Sequence, residues 1–139
     1  MSISGIDHIA MPTNQPIAMM EFYQSLGFTV PDEKLWRDVE HPTLTIHCGN
    51  QKINLHEPSR WLDKNFTLRG HPALPGCGDM CFVWDGSLDS LLATLEKAGA
   101  KIEVGPVERN GAQGPGKSVY SRDPDDNLIE FIIYEGQVD

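Results

Sequence analysis

The sequence is short of basic residues, of cysteine and of long apolar runs, and each shortage narrows what the chain can be. Eleven Lys and Arg stand against 20 Asp and Glu, a formal net charge of −9. That balance offers no counterion release at scale, so it argues against a nucleic-acid partner, and it disfavours an anionic membrane surface. The three cysteines, Cys48, Cys77 and Cys81, show no CxxC spacing. They read as small buried hydrophobes or bystanders, not as disulfide or zinc ligands, and they fit a reducing compartment. No apolar run approaches the roughly 20 residues that span a bilayer. The stretch from Met1 to His8 lacks the basic and apolar regions of a secretory signal, so the expected location is the cytoplasm.

What is present is an ordinary soluble composition, 40% hydrophobic and 22% charged over 139 residues. A chain of this length buries roughly two-thirds of its unfolded surface and folds without a staple. Two amphipathic helices are expected. The first runs from about Gln15 to Leu26, with Met19, Phe22, Tyr23 and Leu26 on one stripe, Thr13 or Asn14 as cap, Pro16 in the first turn and Gly27 as stop. The second runs from about Leu88 to Ala98, with Leu88, Leu91, Leu92 and Leu95 in line, Ser87 as cap and Gly99 as stop. Strand-like runs precede and follow each helix: Ile6–Met11, Phe28–Val30, Thr43–Cys48 and Lys52–His56, then Met80–Trp84, Lys101–Val104, Ser118–Ser121 and Leu128–Tyr134.

The order β-α-β-β-β thus occurs twice, and the separation from His8 to Gly27 nearly equals that from Asp79 to Gly99. The expected fold is α+β: a single domain over residues 1–139 made of two βαβββ modules, about 4–58 and about 76–135. Side by side they form one curved mixed sheet around a cavity, with the helices outside. Two Gly- and Pro-rich connections, Pro58–Cys77 and Gly105–Gly116, read as long loops, either lids or tolerated insertions.

Strand parity sorts side chains into helix-facing and cavity-facing sets. Ile129, Phe131 and Ile133 form an all-apolar set, which turns Glu130 into the cavity. By the same rule Ile53 and Leu55 leave Asn54 and His56 inside, and Met80, Phe82 and Trp84 leave Asp79 and Cys81 inside. The repeat sets His8 where Asp79 stands. His8, His56, Asp79 and Glu130 are therefore expected on one concave surface. Two imidazoles with one or two carboxylates suit a divalent metal, and a His₂Glu set keeps positions open for substrate. Four such groups buried without an ion would be costly.

Several stretches carry a resemblance. His8 within Gly5-Ile6-Asp7-His8-Ile9-Ala10 and the helix end Glu21-Phe22-Tyr23-Gln24-Ser25-Leu26-Gly27-Phe28 resemble the vicinal oxygen chelate superfamily, the glyoxalase, bleomycin-resistance and extradiol-dioxygenase group. The terminal stretch from Tyr120 to Glu130 is similar to that group's closing motif, which ends in a metal-binding Glu. Gln51–Glu57 and Gly105–Arg109 resemble small single-domain glyoxalase-like proteins. Three positions depart from the pattern: many metal-binding relatives have His at Asp79, glyoxalase I-type enzymes have Glu at Asn54, and the turn usually has Gly at Asp126.

The resemblance implies metal ligands His8, Glu130 and His56, with Asp79 as a fourth, and Glu130 as catalytic base. It implies a divalent ion (zinc, nickel, manganese or iron) that stabilises an enediolate-like oxyanion on a small-molecule substrate with adjacent oxygens. The first reading is therefore a metal-dependent glyoxalase-like lyase or isomerase. An iron(II) extradiol-type dioxygenase is its sibling, and a metal-free sequestration module of the bleomycin-resistance type is the competing class. A homodimer is the expected assembly.

Arg122 is expected either to orient a carboxylate or to close a turn salt bridge. The Asp123–Asp126 run reads as a turn rather than a calcium loop.

Overall fold

The computed structural model describes residues 2–134. The chain divides after Cys77 into two compact units. Among the described residues no helix is long and apolar enough to cross a membrane.

In the first unit, strand β1 (His8–Pro12) leads into helix α1 (Pro16–Ser25), followed by a single 3-10 turn at Glu33–Leu35. Strands β2 (Thr45–Cys48) and β3 (Gln51–His56) come next, then a one-turn helix α2 (Pro58–Trp61). The sheet has the order β1-β3-β2, with β1 parallel to β3 and β2 antiparallel to it. The helix starts where Pro16 presets the backbone, and Gly27 ends it at a φ of +100°. Its buried stripe is Met19, Met20, Tyr23 and Leu26, so Met20 takes a place expected for Phe22, which is only half-buried. These side chains share a core with Trp36, Ile46, Ile53 and Leu55. The expected strand Phe28–Val30 is reduced to one bridge, Thr29 to His47. The Pro58–Cys77 connection opens with α2, where the Glu57 side chain accepts from Ser59 N–H.

In the second unit the order is β4 (Asp79–Val83), α3 (Leu88–Lys97), β5 (Val104–Gly111), β6 (Gly114–Arg122) and β7 (Leu128–Tyr134). The strands lie in the order β4-β7-β6-β5, with β4 parallel to β7 and the rest antiparallel. Ser87 caps α3 by accepting from Ser90 N–H at 3.0 Å. Leu91 and Leu95 are fully buried, as are Val119 and Ile129, with Phe131 nearly so. The fold is α+β, as the patterning predicts.

One expectation is overturned here. Gly105–Gly116 is not a long loop; most of it is the β5–β6 hairpin, closed at Gly111–Gly114. Gly111 and Gly116 are packing residues, whereas Gly114 serves the turn at a φ of +111°. A Cβ on Gly111 would lie 2.2 Å from the Tyr134 hydroxyl oxygen, and one on Gly116 would lie 2.7 Å from the Ile133 carbonyl. Glycine in a strand marks such close approaches, which composition alone reads as a loop.

Candidate functional site

The second unit's sheet presents one apolar and one polar face, and the register fixes which residues share each. Cys81 on β4 stands opposite Glu130 on β7, and Glu130 opposite Tyr120 on β6. Asp79 stands opposite Leu128, two residues along, so its carboxylate is the diagonal neighbour of Glu130 on the same face. The opposite face carries Phe82, Trp84 and Phe131 in ring contact. Parity therefore places Glu130, Asp79 and Cys81 as expected from the sequence.

Glu130 is a held carboxylate. The Ser118 hydroxyl donates to its Oε2 at 2.5 Å, and Ser118 is itself fully buried. Burial first, and then the neighbouring Glu130 carboxylate, push the Cys81 thiol up to about 12. Cys81 as a residue is exposed, yet its sulfur packs on this carboxylate and stays a neutral S–H at pH 7. Tyr120 receives a hydrogen bond on its hydroxyl from Arg109 Nε at 3.1 Å. The face thus combines a fixed carboxylate, a neutral thiol, a phenol and a second carboxylate that is solvent-exposed.

Arg122 is not directed at Glu130. Its guanidinium forms a two-pronged pair with Glu103 at 3.0 and 3.1 Å and also donates to the Asp126 carbonyl, which is the turn salt bridge. In the turn itself, Asp123 Oδ1 accepts from the backbone of Asp125 and Asn127. Asn127 Oδ1 accepts from Gly78 N–H at 2.7 Å, and Asp126 takes the left-handed φ of 73°. The acidic run is a closed turn.

In the first unit, His8 stands opposite Lys52, Ala10 opposite Asn54 and Pro12 opposite His56. His8 Nδ1 lies 2.7 Å from Asp7 Oδ2, and that contact holds the Asp7 carboxyl below its usual range. The His8 side chain is half-exposed. The two units share one corner geometry: Asn54 is diagonal to His8 as Glu130 is diagonal to Asp79.

His56 falls two residues beyond that corner. Four residues of extended chain separate it from the rung of His8, about 13 Å. Two imidazoles on one ion need their nitrogens within about 4 Å. His56 is therefore out of reach of an ion held by His8, because the period of the strand that put both on one face also put them far apart along it. Its ring packs edge-on against Phe66, with centroids 5.0 Å apart. Burial, then Arg60 and Arg69, push its pKa down.

His56 instead lines a cavity of about 550 Å³ confined to the first unit, with Thr45, Lys52, Asn54, Arg60 and Phe66. Sequence reading set Asn54 and His56 inside but passed over Lys52 and Arg60. Lys52 shares their parity, and that was its available signal. Ser118 was likewise overlooked; its same-face relation to Glu130 follows only from the β6–β7 register. His41 is exposed, with Nδ1 3.2 Å from the Ser59 hydroxyl.

The donor types offered, imidazole and carboxylate, suit a divalent ion. Among the described residues, however, no three His, Cys, Asp or Glu side chains gather closely enough to hold one. Glu130 with Asp79 is the carboxylate pair of the second unit, and His8 is the one imidazole at the matching corner of the first.

The family model described as Glyoxalase/Bleomycin resistance protein/Dioxygenase superfamily matches residues 5–131. The chain is 34% identical over 135 residues to the glyoxalase domain-containing protein RDO1 of Mycosarcoma maydis, covering 97% of this chain and 71% of that protein. It is 35% identical to the virulence protein STM3117 of Salmonella typhimurium, covering 96% of this chain and 87% of that protein. The crystal structure of STM3117 superposes with a TM-score of 0.80 over 96% of this chain and 99% of that one. The lactoylglutathione lyase of Agrobacterium tumefaciens is 25% identical, with a TM-score of 0.68 over 96% of both chains. By the extent of the family match and by these relatives, the chain belongs to the glyoxalase/bleomycin-resistance/dioxygenase superfamily.

Proposed function

We propose that the protein is a glyoxalase-like lyase or isomerase that moves a proton on a small substrate carrying two adjacent oxygens, with Glu130 as the group that moves it. One observation carries this reading: a carboxylate fixed by Ser118 on the polar face of the sheet, flanked by a thiol that stays protonated and by a phenol. A base must be held within hydrogen-bond reach of the proton it takes. Ser118 donates to Oε2 and so restrains the carboxylate. Glu130 takes the proton from the hydroxyl-bearing carbon beside a carbonyl, the electron pair moves onto the carbonyl oxygen, the hydroxyl proton passes to that oxygen, and the carboxylic acid returns its proton to the former carbonyl carbon. Cys81, being neutral, adds no charge beside Glu130.

A divalent ion, which members of this superfamily commonly use, supplies Lewis-acid stabilisation of the oxyanion when bound. In the second unit Glu130 and Asp79 would hold it, and His8 is the ligand of the first unit that the family resemblance implies. The likeness to a lactoylglutathione lyase supports lyase chemistry in particular. The second reading is a binding module without chemistry, of the bleomycin-resistance type named in the family description.

The test is solvent-proton exchange. Incubated with an α-hydroxy ketone in D₂O, the wild-type protein catalyses deuterium incorporation at the carbon beside the carbonyl, read by NMR. Glu130→Gln abolishes it while keeping the fold. Equal exchange in both proteins returns the assignment to the binding module. Elemental analysis of wild type beside His8→Ala, Asp79→Ala and Glu130→Ala tests the ion: metal retained in all three variants removes these residues as ligands. The expected assembly is a homodimer, measured by light scattering in solution.

A further inference from the structure

We propose that the cavity of the first unit is a binding site for a small organic acid that also carries a hydroxyl or N–H donor, with Lys52 pairing its carboxylate and Asn54 accepting from its donor. This holds whether or not Glu130 carries a proton, because every residue of the argument lies in the first unit.

The cavity, about 550 Å³, is of the size that takes a small molecule. Its charges sort into committed and uncommitted groups. Two carboxylates line it, and both are occupied. Glu57 accepts from Ser59 N–H at 2.8 Å and from the Ser59 hydroxyl, with His41 at 3.9 Å. Asp63 accepts from Asn65 N–H at 2.9 Å. The two cations are not so engaged. Neither Lys52 nor Arg60 has a carboxylate within ion-pair distance among the described residues; Arg60 lies over the Phe66 ring, 5.5 Å from its centroid. Asp7 is the anion whose field Lys52 feels, and it is fully exposed on the preceding rung. A chain of net charge −9 that leaves two cations unpaired beside one cavity offers them to an anion from outside.

Asn54 supplies the second half of the recognition. Its Oδ1 is buried and has no hydrogen-bond partner in the protein. Buried acceptors are nearly always satisfied, and Asn54 lines the cavity, so a rotation of its amide brings the orphaned oxygen to a donor held there. Asn54 is on the same face as Lys52, two residues along β3 and therefore about 7 Å away. That spacing suits a carboxylate at one end of a short acid and a hydroxyl or amide at the other. His56, held neutral at pH 7 by burial and by Arg60 and Arg69, adds no third charge and forms, with Phe66, an aromatic wall.

The experiment measures binding alone, so it separates from any failure of the proton-transfer reading. The whole chain is titrated with malate, with lactate and with succinate, which lacks the hydroxyl, by calorimetry and by thermal shift. The expected results are binding of the hydroxy acids ahead of succinate, a loss of about tenfold or more for every acid in Lys52→Met, and loss of the preference for malate over succinate in Asn54→Leu. Asn54→Leu should also melt higher than wild type when no acid is present, which shows that it folds. The proposal is overturned if none of the three acids binds, if Lys52→Met binds them as wild type does, or if Asn54→Leu keeps the preference for malate.

Discussion

The two units build the same corner and fill it with opposite chemistry. In each, a strand leaving the unit's start runs parallel to the strand that carries the polar residue, and the first functional side chain lies diagonal to the second. In the second unit the pair is Asp79 and Glu130, with the rung between them completed by apolar Leu128 and neutral Cys81. In the first it is His8 and Asn54, with Lys52 on the rung of His8. One corner is anionic and suited to taking a proton or a cation. The other is cationic and amide-bearing, suited to an acid. A duplicated backbone is thus no guide to duplicated chemistry; the register supplies positions, and each unit's own side chains decide the charge.

This contrast can be broken most sharply at Glu130. Glu130→Gln, isosteric and still able to accept from Ser118, should slow α-proton exchange by about 10²–10⁴-fold, the range expected for loss of a positioned base. The equivalent change in the first unit, at Asn54, should leave a residual rate far above that of Glu130→Gln. Comparable losses in both would mean that the corners act alike.

The next effect in size concerns stability. Asn127→Ala removes the acceptor of Gly78 N–H and two hydrogen bonds to Asp123, at a residue with no exposure. A cost of about 2–4 kcal/mol is expected from urea denaturation, since the stranded partners stay buried. Asn54→Leu runs the other way. It removes an orphaned acceptor and should stabilise the unliganded protein by about 1 kcal/mol.

The smallest effect is a pH dependence. His56 has its pKa lowered on folding, so the unfolded chain binds the proton more readily. Stability contributed at this site is therefore present above the unfolded value near 6.5 and declines as the pH falls through it. The melting temperature of His56→Phe should fall less between pH 8 and pH 5 than that of the wild type; equal declines would remove His56 as a contributor.

Much of this was legible before any coordinates. Alternation along Leu128–Tyr134 fixes the face of Glu130, and the Leu91–Leu95 spacing fixes the core of α3, because burial imposes those periods directly. His56 shows where such reasoning stops. Parity reports a face and is silent about distance along it, so a residue on the right face was expected at a corner about 13 Å away. The hairpin Val104–Arg122 fails for a different reason. Gly111 and Gly116 are there to admit Tyr134 and Ile132, and no local pattern distinguishes a glycine that yields space from one that frees the backbone. Lys52 and Arg60 went unnoticed because isolated cations on a sequence have no pattern; only the cavity gathers them.

The amide of Asn127 links the turn before β7 to Gly78, immediately ahead of Asp79. With the Leu128 N–H to Gly78 carbonyl bond and the β4–β7 ladder, that side chain clamps the strand that starts with one carboxylate to the strand that bears the other. Anyone redesigning this protein to accept a larger or smaller ion should begin at that clamp and leave both acids untouched, since lengthening or shortening it retunes their separation without altering either donor.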